Sequence, residues 1–354
     1  MKVLILTPYP FGKAASQRFR FEQYLELLKE KGIDYTISPF YSEKTFEILY
    51  QKGYFFNKFF AILFGLLKRK REVLTSSPYD YIFIHREVSP IGPPYFEWFL
   101  ARVMKKKIIY DFDDAIWLKN ASDTNRIFAF MKTHANVAKI CRYAYKVSCG
   151  NNYLCNFAKE FNSQVILNPT TIDTENHHNS VKQHVHQPPV IGWTGTHSTI
   201  RYLDDLIPVL QELSKKYDFE FRVISDLKVD YPLKNFTFIP WKKATEIEDL
   251  MQFDIGVMPL SDDPWSKGKC GFKALQYMAL GIPALASPVG VNASIIDHGV
   301  NGFLCANNDE WYAHLEQLLQ DSELIQHMGK KARPKIEQSF SVLSNSNNFL
   351  HLFT

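Results

Sequence analysis

"FDIGVMPL" at 253–260, "KGKCGFKALQYMALGIP" at 267–283 and "ALASPVG" at 284–290 form one continuous reading: an apolar run, a glycine-bearing loop, a short helix and a second apolar run. Within the helix, Ala274, Leu275, Met278 and Ala279 recur at helical spacing and turn toward a core, while Lys273 and Gln276 lie on another side, and Gly281 and Pro283 end it. Two apolar runs joined by such a helix make a βαβ unit, which belongs to a parallel sheet. Lys273 in the first helical turn opposes the helix dipole unless something negative lies before it. A phosphate group meets that need. A surface lysine on a core helix is the plainer alternative.

The same alternation extends both ways along the chain. "KVLILTPYP", "DYTISPF", "YDYIFIHRE", "KKIIYDFDD", "AYKVSCGN" and "SQVILNP" are apolar runs separated by helical stretches in the first half; "PPVIGWTGT", "EFRVISD", "FTFIPW", "FDIGVMPL" and "IPALASPVG" repeat the pattern in the second. The expected fold is α/β, with two Rossmann-like doubly wound domains facing a central cleft. The expected domains are 1–176 and 190–337, joined by a linker at 177–189, with 338–354 forming a helix that packs back on the first domain. In open sheets of this kind ligands sit outside the carboxyl ends of the strands, so function belongs in the strand-to-helix loops.

The chain has 354 residues, 46% of them hydrophobic, enough for two cores. Its formal net charge of +4 suits phosphorylated substrates or anionic lipid equally well. Five cysteines without CxxC spacing are expected to be free thiols in a reducing compartment, and the N-terminal apolar run is a buried strand rather than a signal peptide; together these give a cytoplasmic expectation. The segment "FFNKFFAILFGLLKRKR" at 55–71 has an apolar part below the roughly 20 residues that span a bilayer. Either it packs on a sheet with a solvated basic end, or it lies on an anionic leaflet at the inner face of the membrane. The histidines His177, His178, His184 and His186 fall in the linker without a metal-ligand pattern and are expected in a solvated loop.

Three loops of the second half place a glycine before a helix: Gly195 with Thr196 and His197, Gly271 with Phe272, and Gly290. Glycine permits close backbone approach, and helix-start amides favour oxyanions, so the three together describe a phosphate pocket without a Walker sequence or GxGxxG. In the first half, Asp111, Asp113 and Asp114 end one run, and His85, Arg86 and Glu87 end another, while Arg18 and Arg20 follow Gly12. These groups suit a cleft edge, with the arginines matched to a phosphorylated or lipid-diphosphate acceptor. Ion pairs between the arginines and aspartates explain them equally, and Asp114 is also a candidate helix cap. Trp241 either flanks a nucleotide base or packs in the core.

From "FDIGVMPL" through "KGKCGFKALQYMALGIPALASPVG" to "HGVNGFL", with "VILNPTTID" and "PFGKAASQRFRFEQY" earlier, the chain resembles the retaining, nucleotide-sugar-dependent glycosyltransferases of family four, group one type, which have the GT-B fold. The resemblance implies a donor domain binding a nucleotide diphosphate sugar through Gly195, Thr196, Trp241, Gly271, Phe272, Gln276 and Gly290. Arg201 and Lys273 would neutralise the departing diphosphate, with Asp113 orienting acceptor hydroxyl or sugar. It also implies an acceptor side at Gly12, Arg18, Arg20, His85, Arg86, Asp111 and Asp114. No metal and no cofactor are implied; "SDD" at 261–263 does not form a DxD site. The acceptor is a sugar or lipid-linked sugar, in bacterial surface polysaccharide or glycolipid assembly, and no nucleic-acid partner is expected. The family signature is a pair of glutamates separated by seven residues; here the aligned positions are Gly268 and Gln276. That departure leaves a catalytically degenerate nucleotide-sugar-binding subunit as one alternative and a GT-B epimerase as another.

Overall fold

A computed structural model describes residues 1–49, 51, 53–118 and 135–354. The chain divides into two compact units, Met1–Thr170 with Asn345–Thr354, and Thr171–Ser344.

The first unit is built on six parallel strands: β1 (Lys2–Thr7), β2 (Asp34–Pro39), β3 (Tyr81–His85), β4 (Lys107–Phe112), β5 (Lys146–Cys149) and β6 (Val165–Leu167). Their order is β2-β1-β3-β4-β5-β6. The inner strands are buried along nearly their whole length, which explains why "VLILT" and "YIFIH" are continuous apolar runs rather than alternating ones. The chain direction reverses between β1 and β3, the switch point at which doubly wound sheets open a crevice. The C-terminal residues complete this unit: Phe349 stacks on Tyr24 with ring centroids 4.2 Å apart, and Lys146 Nζ donates to the carbonyl of His351 at 2.6 Å.

The second unit has β7 (Val190–Gly195), β8 (Glu220–Ser225), β9 (Phe236–Pro240), β10 (Ile255–Met258), β11 (Ala284–Ala286) and β12 (Gly302–Leu304), again all parallel, ordered β12-β11-β10-β7-β8-β9. Counted from the first strand of the unit this is 3-2-1-4-5-6, the dinucleotide-fold order, with its switch point between β7 and β10. The sixth strand is absent from the sequence reading because β12 is three residues long and opens with a glycine. A Cβ on Gly302 would meet the Ala284 carbonyl oxygen at 2.1 Å, so the glycine serves close strand packing rather than a turn.

Residues 177–189, expected as a linker, lie within the second unit. Lys182 donates its backbone N–H to Leu280 and pairs with Asp254 at 3.0 Å, and Asp254 also accepts from His186. His178 is fully buried rather than solvated. All five cysteines are buried and free. Among the described residues no group of His, Cys, Asp or Glu is arranged to hold a metal ion, and no helix is long and apolar enough to cross a membrane.

Candidate functional site

At the carboxyl edge of the second sheet, β7 runs into the Gly195 loop and β10 into the 261–271 segment, on the two sides of the switch point. The segment is organised by short-range chemistry. Asp263 caps the Pro264–Lys267 helix by accepting from Ser266 N at 2.7 Å, and Asp262 pairs with Lys267 at 3.1 Å. Both carboxylates of "SDD" are therefore in local use. Ser266 Oγ meets the Tyr202 hydroxyl at 3.0 Å, tying this helix to the turn that carries Arg201.

The three glycines do distinct work. Gly271 holds φ +69° at the start of the Phe272–Ala279 helix, where a Cβ would strike Ile295 at 2.1 Å. Gly290 holds φ +62°, and a Cβ there would press on the Lys267 carbonyl at 2.9 Å. These left-handed conformations and close approaches bring the 267–272 and 287–295 loops together. Gly195 lies against the Trp193 ring, where a Cβ would come within 2.4 Å. Trp193 is also what Lys273 covers: its Nζ sits 5.3 Å from the ring centroid. The cation of Arg201 lies over Tyr202 at 5.2 Å. Both cations thus rest on aromatic faces at one edge of one sheet.

Two buried groups in this cluster have no hydrogen-bond partner in the protein: Gln276 Nε2 and Asn292 Oδ1. Buried polar atoms are satisfied in the great majority of cases, so an orphan donor and an orphan acceptor on neighbouring helices mark hydrogen-bonding capacity reserved for something else. Gln276, expected among the donor-binding residues, is fully buried. Gly268 closes the Pro264–Lys267 helix and supplies no side chain.

Other expectations for this edge are redirected. The amides of Thr196 and His197, expected to aim at an oxyanion, are donated to Thr199 Oγ1 at 3.3 Å and Asp226 Oδ1 at 2.6 Å, because the turn closes on its own hydroxyl and on the end of β8. Trp241 follows the edge strand β9 and donates its indole N–H to Glu246 at 3.3 Å. It sits two strands away from β7, so the structure does not bring it to the switch point.

In the first unit, strand register explains the charged cluster. His85 pairs with Asp111, and Asp111 with Ser148, in one row across β3, β4 and β5. His85 Nδ1 lies 2.8 Å from Asp111, Ser148 Oγ donates to Asp111 at 2.6 Å, and Arg20 donates to Asp111, to Ser148 and to the Asn168 carbonyl. Arg20, His85 and Asp111 are fully buried. Burial alone raises the Asp111 pKa, but the Arg20 charge and the His85 hydrogen bond outweigh it and hold the carboxyl well below its ordinary range. These residues form an internal ion network; His85 Nε2, buried and unpartnered, is its open end.

Arg86 adopts φ +63°, a left-handed conformation unusual for a non-glycine, with its N–H bonded to the Asp111 carbonyl at 2.8 Å. Such strain costs about 1–3 kcal/mol and concentrates at functional positions. Its guanidinium bonds Asp113 at 2.7 and 2.9 Å and Asp114 at 2.8 Å. Burial works against that charge, but the two carboxylates outweigh it and raise its pKa. The helix that Asp114 was expected to cap lies outside the described residues. The Gly12 amide is taken by Glu22, at 2.9 and 3.1 Å, and Arg18 is buried over the Phe19 ring. The residues that sequence reasoning missed are Trp193, Tyr202, Ser266 and Asn292. Only Asn292, two residues after Gly290, carried a local signal.

One unit with a 3-2-1-4-5-6 sheet, glycine-shaped loops and two cations on the loops at its carboxyl edge, and another unit built on a parallel sheet of the same class, define a two-domain GT-B architecture. Residues 188–321 match the model of the glycosyl transferases group 1 family. Over 100 residues the chain is 36% identical to N-acetyl-alpha-D-glucosaminyl L-malate synthase of Bacillus anthracis; the match takes in 28% of this chain and only 25% of that relative's length. Sucrose-phosphate synthase of Thermosynechococcus elongatus superimposes with a TM-score of 0.74 at 14% identity, covering 100% of this chain and 98% of the other. Anabaena HepE in complex with UDP-glucose superimposes with a TM-score of 0.62 at 17% identity, covering 100% and 99%.

Proposed function

We propose that this protein is a retaining glycosyltransferase that moves a sugar from a nucleotide diphosphate sugar to a hydroxyl, without a metal ion, in the assembly of a bacterial surface polysaccharide or glycolipid on the cytoplasmic side. The observation that carries this reading is that Arg201, Gly271, Lys273 and Gly290 all lie on the loops and helix starts that follow β7, β10 and β11, inside the segment that matches the family. As the bond from the sugar to phosphate breaks, its electron pair leaves with the diphosphate. Preorganised cations aimed at that oxygen lower the barrier. Gln276 and Asn292 supply an unmatched donor and acceptor for a polar ligand such as a nucleoside. The first unit supplies the acceptor side through Arg86, Asp113 and Asp114. The complex of HepE with UDP-glucose and the sugar-joining name of the Bacillus relative favour the same class of donor.

The test is a thermal-shift panel of UDP, GDP, ADP and CMP with their sugar conjugates, with and without magnesium. Ligand at a hundred times its Kd stabilises the native state by about 2.7 kcal/mol. A metal-independent rise with one diphosphate nucleotide, followed by sugar transfer, is the expected outcome. Binding without turnover would make the chain a degenerate subunit, consistent with the missing carboxylates at Gly268 and Gln276, and no rise with any of them would overturn the donor class.

A further inference from the structure

The helix Phe55–Leu74 of the first unit has its polarity reversed. Its outward face is a stripe of Phe56, Phe59, Phe60, Leu63, Phe64 and Leu67, all exposed, with Phe56 at 80%. Its inward face carries Lys58, Gly65 and Glu72 at seven-residue spacing, together with Arg69. Arg69 is fully buried and donates to the carbonyls of Thr7, Ser38 and Val88, to Ser38 Oγ and to Glu72, at 2.7–3.0 Å. Gly65 allows the helix to seat on Phe40, whose ring a Cβ would meet at 2.5 Å. The helix is therefore anchored by polar chemistry from behind, and hydrophobic burial has no part in holding its aromatic stripe. A soluble chain gains nothing by turning six large apolar side chains to water on one continuous face, and such faces mark interaction surfaces.

The occupant is set by the rest of the face. Seven residues beyond Leu63 and Phe64 the stripe continues as Lys70 and Arg71, both exposed. From 55 through 71 there is no acidic residue, and Glu72 is turned in to Arg69, so the negative charge must come from the partner. A second copy of this helix would bring none. The apolar side chains of the stripe all lie on one exposed helix face, an arrangement that suits insertion into a deformable surface. The adjoining helix Tyr95–Arg102 exposes Tyr95 and Trp98, residue types that favour the boundary between headgroups and acyl chains. The helix is too polar on its inner face to cross a bilayer. We propose that Phe55–Leu74 docks this protein on an anionic lipid bilayer, its Phe and Leu side chains entering the headgroup–acyl boundary and Lys70 and Arg71 meeting lipid phosphates. This surface is separate from the sugar-transfer reading and stands or falls without it.

Flotation of the full chain with phosphatidylcholine vesicles, with and without 40% phosphatidylglycerol, tests the proposal. Binding to the anionic vesicles, weakened by high salt, is expected. Each neutralised cation reduces partitioning about fivefold, so Lys70→Gln with Arg71→Gln reduces it roughly 25-fold. Phe56→Ser, Phe60→Ser and Phe64→Ser together abolish it. These side chains point outward, so the variants melt with the wild-type chain, and the charge pair remains a test if the triple variant does not. The proposal is overturned if the wild-type chain fails to float with anionic vesicles, or if all variants float alike. It is also overturned if light scattering shows a dimer that the phenylalanine variant dissociates while no form binds vesicles.

Discussion

The carboxyl edges of the two sheets differ in where their buried polar groups find partners. In the first unit Asp111 is paired with Arg20 and His85, and Arg86 with Asp113 and Asp114. In the second unit the cations Lys273 and Arg201 lie over Trp193 and Tyr202, and the polar atoms of Gln276 and Asn292 are left open. Buried polar atoms without a protein partner, as at Gln276 and Asn292, keep hydrogen-bonding capacity for a ligand.

Three experiments break or sharpen this comparison. The largest effect is expected for Asp111→Ala, which leaves Arg20 buried without its carboxylate and costs about 3–5 kcal/mol of stability. Because the Asp111 pKa is depressed on folding, its contribution is complete above the ordinary carboxylate pKa and fades as pH falls below it. Denaturant titrations at pH 7 and below pH 4 should therefore show the gap between wild type and variant closing in acid. A constant gap would deny the network its electrostatic role.

Next in size is Lys273→Ala. It is expected to reduce transfer by about a hundred- to a thousandfold, equivalent to roughly 2.7–4 kcal/mol of barrier, with the melting temperature little changed. Steady-state kinetics decide it: a variant that keeps its rate removes Lys273 from the diphosphate cradle.

The smallest effect concerns Glu97, buried in the first unit, which accepts from Val88 N at 3.1 Å. Burial pushes its carboxyl up to about 7. A raised acid binds its proton more tightly in the folded state, so stability falls as pH rises from the ordinary glutamate range toward 7, by up to about 3 kcal/mol. Glu97→Gln removes that slope. Melting curves at pH 5 and pH 8 should show it stabilising only at the higher pH, and equal shifts at both would refute the assignment.

The legible parts of the site were those written in local sequence. Gly271 and Gly290 were visible because a glycine before a helix has a backbone meaning, and the structure gives both a positive φ. Lys273 stood out by opposing a helix dipole. Trp193 and Tyr202 were not legible, because an aromatic residue in or beside a strand looks the same whether it fills a core or floors a cation site. Gln276 was placed by helical spacing on a different side from the apolar residues, and only the packing of its helix within the unit shows that this side too is buried.

The sequence by itself determined that the chain forms parallel α/β units, because continuous apolar runs alternating with helices can bury both faces only in that way. It also determined that chemistry belongs in the loops. Only the tertiary structure decided strand order, and with it the switch points between β1 and β3 and between β7 and β10. Strand register then joined His85, Asp111 and Ser148 in one row. The same packing turned the aromatic side of the Phe55–Leu74 helix outward, which a periodic pattern cannot specify: spacing defines a face, and only the neighbours decide which way it looks.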